Sequence, residues 1–319
     1  MEDLSWQDVD SSVKRCPLCA GKLYVRLRKV EDPSSRDSFD VLRCDSCGLG
    51  KTFPVPSDLA PYYENYHGGR HGATAQRCVK RRISIVGDTT RAQTPGMMLD
   101  IGCGDGSFLL AARKCGWRVQ GTEFNPYAAR QRGLDVVTDI CEIPDTSVFD
   151  CITLWHSLEH LRDPLSTLRS IRSHLFPTGV LLIAVPDIDG IQAKLFARKW
   201  YHLDVPRHLY HYSKTSLSAL LQATGFCPVQ WRHQEFEYDL IGWLQSALNC
   251  FLPTPNVLIN MLMGRSPRCG AAEKVTSCIS GAVLTGLAVP LVAMGSLINR
   301  GATLIVAAHP CDFQRDDKE

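Results

Sequence analysis

The fold turns on residues 97–106, MMLDIGCGDG. An apolar run, Met97-Met98-Leu99, enters Asp100. Gly102, Gly104 and Gly106 then follow at every second position, and Ser107-Phe-Leu-Leu-Ala-Ala opens a helix. The physical reading is a buried strand, a tight glycine turn and a helix N-terminus aimed at a ligand. Glycine lets the backbone come close to that ligand and adopt positive φ. The free N–H groups at the helix start, with the helix dipole, favour an anionic group there.

Spacing narrows the reading. A dinucleotide fingerprint runs G-x-G-x-x-G, whereas the third glycine here comes two residues after the second. The next apolar stretch, Trp117-Arg-Val-Gln-Gly-Thr, ends at Glu123, where an acid can bind both hydroxyls of a ribose, with Phe124 beside it. From there the chain alternates strand and helix, which predicts a parallel sheet with right-handed crossovers. Strands are expected near 97–101, 117–122, 134–137, 149–154 and 179–185, and helices near 107–115, 125–132, 163–175 and 213–224. Ligands in such sheets bind beyond the carboxyl ends of the strands.

The 319 residues carry a net charge of +2, so no strong field recruits nucleic acid. The start, MEDLSWQDVDSS, has no apolar signal-peptide core, and the 14 cysteines are mostly scattered singly. A reduced, cytoplasmic protein is the expectation. Two knuckles stand apart from that scatter: Cys16-Pro-Leu-Cys19 and Cys44-Asp-Ser-Cys47, 24 residues apart. Four thiolates in two knuckles suit a closed tetrahedral zinc site, with Zn–S near ~2.3 Å. Lys22–Val30 and Asp37–Arg43 read as a hairpin between them, making residues 1–56 a zinc ribbon with a structural Zn2+. Two disulfides are the alternative.

Residues 57–94 read as a linker and lead-in helix. Prolines around Phe53-Pro-Val-Pro and Leu59-Ala-Pro predict an extended segment. Tyr62, Tyr63 and Tyr66 form either a lid over substrate or packing between ribbon and domain. Residues 74–90 read as a helix whose basic run, Lys80-Arg81-Arg82, is a solvated face.

Further along, Asp139 follows the third strand, with Ile140 and Cys141 after it. A buried strand, Val148–Leu154, leads into Trp155-His156-Ser-Leu-Glu159-His160-Leu-Arg-Asp163-Pro164. After the fifth strand comes Tyr201-His202-Leu-Asp204-Val-Pro206-Arg207-His208-Leu-Tyr210-His211-Tyr212-Ser213, a loop too long to be mere connection. Ser213 reads as the N-cap of the helix that ends at Gly225.

These motifs together resemble a class I S-adenosylmethionine (SAM) methyltransferase with an N-terminal zinc ribbon. Over residues 16–226 the layout is similar to bacterial sugar C-methyltransferases. Asp100-Ile-Gly-Cys103-Gly-Asp-Gly resembles that family's first motif, 155–164 its strand-four signature, and His208–Ser213 its H-x-x-x-(F/Y)-S element. The resemblance implies a Rossmann-like α/β fold with a mostly parallel seven-stranded sheet. It implies SAM on Asp100, Gly102, Cys103, Gly104, Gly106 and Glu123, the adenine near Asp139 and Ile140, and the methionine part near Trp155 and His156. Glu159 and His160 are expected to fix the local turn. The acceptor falls to Tyr62, Tyr63, Tyr66, Arg207, His208 and His211: Arg207 would hold an anionic group, and His208 would act as base or acceptor ligand, with His156 the second choice. The sugar enzymes carry Glu where Arg207 stands, and they continue into a further domain.

The region 240–299 is an apolar insertion before the last strand. Its segments 240–264 and 275–299 contain no charged residue and are long enough to cross a bilayer, at ~20 residues each. The flanking segments, Pro228–Tyr238 and Gly301–His309, read as neighbouring strands, so any crossings must be even in number. A spanning hairpin would put Arg265, Arg268 and Lys274 on the far side, against the positive-inside tendency, and Pro253, Pro255 and Pro290 interrupt the segments. An interfacial hairpin in one leaflet follows, with a soluble cap or dimer contact as the alternative. Residues 95–239 and 300–311 then form the SAM-binding domain, at the inner face of a membrane if the hairpin inserts. The functional expectation is methyl transfer to a glycan, lipid-linked or secondary-metabolite precursor. A non-catalytic SAM-binding module at a membrane is the other reading.

Overall fold

In the computed structural model, residues 14–63, 74–90 and 95–311 are described. Among them, eleven strands form two sheets. β1 (Leu23–Glu31), β2 (Ser38–Cys44), β3 (Gly50–Phe53) and β9 (Tyr210–His211) make one, in that order. β4 (Met97–Ile101), β5 (Arg118–Thr122), β6 (Val136–Val137), β7 (Phe149–Trp155), β8 (Leu175–Pro186), β10 (Phe226–Arg232) and β11 (Thr303–Pro310) make the other. Their order is β10-β11-β8-β7-β4-β5-β6. β6, β5, β4, β7 and β8 run parallel, whereas β11 is antiparallel to both β8 and β10. This is the Rossmann-like methyltransferase fold.

Both faces of the large sheet are covered, so its central strands are mostly apolar on both sides rather than at alternate positions. Period-two alternation sends neighbours to opposite sides. Met98, Cys151 and Ile305 pack with Val86 and Phe108 of helices Ala75–Thr89 and Ser107–Lys114. Leu99, Ile152 and Val306 pack with Leu168 and Leu217 of helices Pro164–His174 and Lys214–Ala223. Helix 164–174 starts on an Asp163 cap and helix 214–223 on Ser213, whose hydroxyl accepts from the backbone of Ser216.

The ribbon is not a separate bead. Leu23, Leu42 and Leu49 share one core cluster with Tyr212 and Leu220, and the loop after β8 supplies β9 to the ribbon sheet, pairing Gly50 with His211 and Lys51 with Tyr210. The prolines do not keep 57–63 extended: Ala60–Tyr63 makes one helical turn.

Two expectations change at the insertion. Residues 236–238 begin a helix, Phe236–Phe251, instead of extending a strand. Pro290 sits inside an unbroken 27-residue helix, Ala271–Leu297, rather than interrupting it. The break falls instead at 252–256, before a short helix Val257–Leu262. Among the described residues, 271–297 is the one helix long and apolar enough to cross a membrane, and 22% of its most apolar window is buried. It packs on helix 236–251 through Ala288 and Val292 against Trp243, Leu244 and Leu248.

Candidate active site

The carboxyl ends of β4, β5 and β7 carry the predicted motifs. After β4 the chain turns at Gly102, with φ +75, where a Cβ would lie 2.7 Å from the Cβ of Ser157. The backbone N–H groups of Gly102 and Cys103 both donate to the carbonyl of Thr122, at 2.9 Å. The Gly104 N–H donates to Glu123 Oε2 at 2.8 Å. Gly106, also at positive φ, begins the helix Ser107–Lys114. The turn thus leans on the end of β5 and holds Glu123 against it, while Phe124 beside it is 89% exposed.

Asp100 lies beneath this turn, buried, and accepts from the Thr153 hydroxyl at 2.6 Å. Burial pushes its carboxyl up to about 7, against the pull of that hydroxyl. Its part is to brace the turn from below. Cys103 likewise faces inward, against Gly121. Asp139 is exposed and caps the turn Ile140–Glu142 by accepting from the Cys141 N–H at 2.9 Å. Hydrogen bonding to Cys141 holds its carboxyl below the ordinary value. Ile140 is buried.

Several predicted contacts are already taken. Trp155 points to the helix face of the sheet, edge-on to Phe108 and under the Arg82 guanidinium at 5.0 Å. It does not line an open cleft. His156 is held at φ +53, its Nε2 2.6 Å from Glu235 and its Nδ1 3.6 Å from Glu159, with its ring stacked on Tyr238 at 3.7 Å. Burial would strip its proton, but the two carboxylates outweigh burial and raise its affinity for it. Both of its ring nitrogens are turned to carboxylates, so neither faces an open site where the second-choice base would meet a substrate.

The basic run is a solvated face only in part. Lys80 is exposed, but Arg81 pairs at the surface with Glu237, and Arg82 is buried and pairs with Glu235 at 2.7 Å. Arg207 is also spoken for, buried with Asp32 at 2.8 Å and Asp204 at 2.6 Å. It ties the 201–213 loop to the ribbon, with its guanidinium already paired. His211 is buried in β9, its Nε2 3.0 Å from the Thr52 hydroxyl. Tyr62 donates to Asp37 at 2.7 Å and packs edge-on to Phe39, which makes it ribbon packing rather than lid. Tyr66 lies outside the described residues.

What converges instead is a smaller group. Tyr63 Oη lies 3.0 Å from His160 Nδ1, which is 3.1 Å from the Arg207 carbonyl. His208 Nδ1 lies 2.9 Å from the His202 carbonyl, which fixes the proton on Nδ1 and leaves Nε2 facing Glu159 at 3.8 Å. Burial and the neighbouring His160 push His208 down to about 4, so its ring is neutral. Glu159 is 1% exposed, and neither of its carboxylate oxygens has a hydrogen-bond partner. Its backbone carbonyl does hold the Leu209 N–H, but the side chain fixes no turn.

Glu235 and Tyr238, at the start of the apolar insertion, were not foreseen. A charged residue just ahead of an uncharged stretch was the available signal. A cavity of about 120 Å³ sits between that insertion and the acceptor loop, with Tyr201, His202 and Tyr238 on one side and Ile259, Leu262 and Met263 on the other.

In the ribbon, Cys16, Cys19, Cys44 and Cys47 place their four Sγ atoms within 4.8 Å of one another, with Cys16–Cys47 at 3.6 Å and Cys19–Cys44 at 3.4 Å. Thiolates around zinc at ~2.3 Å form a tetrahedron with edges near ~3.8 Å, so the donor set fits an ion held by four cysteines. No disulfide joins any of the fourteen cysteines, and the four knuckle sulfurs gather about one point instead of bonding in pairs.

Residues 74–230 match the family model described as a methyltransferase domain. A ubiquinone biosynthesis O-methyltransferase of Histophilus somni (strain 2336) is 29% identical over 119 residues, covering 32% of this chain and 50% of that protein. Its counterpart from Actinobacillus pleuropneumoniae serotype 7 (strain AP76) is 32% identical over 103 residues, covering 27% of this chain and 44% of that protein. The chain spans about half the length of the curated relatives it matches. A Haemonchus contortus phosphoethanolamine N-methyltransferase 2, solved with phosphomonomethylethanolamine and S-adenosylhomocysteine, shares the fold at 15% identity and a TM-score of 0.50. The match covers 90% of this chain and 68% of that one.

Proposed function

With residues 74–230 as a class I methyltransferase domain, we propose that the protein transfers a methyl group from SAM to a hydroxyl-bearing acceptor anchored in lipid. The observation that carries the first half is the glycine turn closed on Glu123. It offers a backbone with no room for a side chain at Gly102, a carboxylate for the ribose hydroxyls, and Phe124 and Asp139 exposed beside it. These residues fit the cofactor. When bound, SAM supplies the electrophilic sulfonium methyl.

The chain's own part is alignment, which contributes most of the acceleration in such displacements. The acceptor loop is held from two sides, by Arg207 on Asp32 and by β9 in the ribbon sheet. That bracing keeps His208 and Glu159 fixed where an acceptor hydroxyl is received. The four-cysteine site of the ribbon, holding structural zinc, serves the same bracing.

The lipid half rests on the insertion. Val275, Ile279, Val283 and Leu287 recur every four residues on one helix face and are 57%, 61%, 67% and 63% exposed. The insertion leaves from β10 and returns to β11, which are paired neighbours, so any crossings are even in number. Among the described residues one helix alone is long enough to cross, which favours a hairpin lying along the surface. Arg265, Arg268 and Lys274 stand at the near end of that helix, placed for anionic headgroups. The 120 Å³ cavity supports the same reading, since it joins the insertion to the acceptor loop.

The test is transfer of labelled methyl from SAM into extracts of the native cells, separated into lipid and aqueous fractions. Label in the lipid fraction, abolished by Glu123→Ala, is the expected result. Label only in the aqueous fraction contradicts the lipid half, and no label in either contradicts both.

A further inference from the structure

We propose that Glu159, His160 and His208 bind a divalent transition-metal ion, a second site distinct from the cysteine cluster. One oxygen of Glu159 and one ring nitrogen from each histidine lie within 4.8 Å of one another. Ligands at ~2.1 Å from an ion stand roughly 3.0–3.4 Å apart, so modest side-chain shifts, of order one ångström, close the set. Two imidazoles and one carboxylate on one side, with the remaining positions open, is the ligand type that suits iron, zinc and cobalt.

Two observations point to a ligand here beyond proximity. The first is Glu159: it is 1% exposed, yet both carboxylate oxygens lack a hydrogen-bond partner. Its nearest counter-groups are ring nitrogens of His156 at 3.6 Å and His208 at 3.8 Å, beyond hydrogen-bond reach. The buried carboxylate is therefore only partly compensated, and an ion would satisfy it directly. The second is how the histidines are held. His208 turns Nδ1 to the His202 carbonyl at 2.9 Å, and His160 turns Nδ1 to the Arg207 carbonyl at 3.1 Å. Metal-binding histidines are oriented in this way, the second nitrogen fixed by a backbone carbonyl or carboxylate. His156, the other ring beside Glu159, gives Nε2 to Glu235 at 2.6 Å and keeps Nδ1 3.6 Å from Glu159, so an ion would replace only that longer contact.

The inference deepens the reading of this cluster as the acceptor's side of the site. It makes His208 a ligand, and the acceptor hydroxyl a further ligand that the ion orients. The ion's presence is nevertheless measurable without any methyl transfer, so failure of either claim leaves the other standing.

Metal analysis of the full chain, purified without chelator and supplied with Zn2+, should give two ions per chain. Glu159→Gln and His208→Asn should each give one, and Cys16→Ser should lose the other. Co2+ titration of the metal-stripped protein separates the sites. The cysteine site gives a thiolate charge-transfer band, and the proposed site gives only weak visible bands. Glu159→Gln should weaken the second phase by at least ~100-fold while leaving the thiolate band intact, which also shows that the variant is folded. One ion per chain in the wild type overturns the proposal, as does a second ion unaffected by both Glu159→Gln and His208→Asn.

Discussion

The glycine turn with Glu123 and the buried cluster around Glu159 and Arg207 lie beyond the ends of neighbouring strands, β4 and β7, but are built in opposite ways. At the cofactor edge the defining contact, Gly104 to Glu123, joins residues 19 apart, and side chains beside it such as Phe124 are exposed. In the buried cluster, Arg207 reaches Asp32 across 175 positions and His156 reaches Glu235 across 79, and nearly every participant is buried. The first region is a local device that waits for a ligand. The second is a long-range scaffold whose charges mostly satisfy one another. Positively charged or titratable residues in a loop therefore meant different things in the two places, and spacing alone could not say which.

If the long-range scaffold depends on the ribbon, stripping its metal should have the largest effect. Chelation, or Cys16→Ser, removes a binding energy that is folding energy for such modules, of order 10 kcal/mol in isolated ones. The expected outcome is loss of one zinc per chain and early unfolding of the ribbon and of 201–213 with it, read by hydrogen exchange. Exchange in the ribbon alone would show that β9 does not couple the two.

Next in size is Glu235→Ala, which strands Arg82 as a buried cation and takes from His156 its 2.6 Å partner. Breaking a buried pair by removing one partner costs about 3–5 kcal/mol, and denaturant unfolding should show a loss in that range. A loss below about 1 kcal/mol, the scale of an exposed pair, would mean that water reaches the cluster. Smallest is Asp139→Ala at the open edge. Loss of its cap costs about 1 kcal/mol locally, and affinity for SAM should fall less than ~10-fold by calorimetry. A larger fall would make Asp139 a principal cofactor contact.

The same contrast explains what the sequence made legible. Strand–turn–helix order, the glycine spacing, the paired cysteine knuckles and the Ser213 cap are short-range patterns, and they stand where expected. Arg207 and His211 read as substrate contacts because an aromatic, basic loop has no local partner, and Tyr62 in the linker reads as lid or packing for the same reason. Their partners, Asp32, Thr52 and Asp37, belong to the ribbon, whose distance along the chain from 207 and 211 hides the pairing. Arg82 looked solvated because Glu235 lies 153 positions later. Glu159 is the reverse case: surrounded by rings and a buried loop, its carboxylate ends with no hydrogen-bond partner at all.

The most direct measurement is calorimetric titration of SAM into the wild type and Glu123→Ala. The wild type should bind one SAM per chain, and the variant should bind roughly 10- to 150-fold more weakly, the loss expected for hydrogen bonds to a charged group, with unfolding unchanged. A wild type that does not bind SAM, or a variant that binds it equally well, would contradict the account.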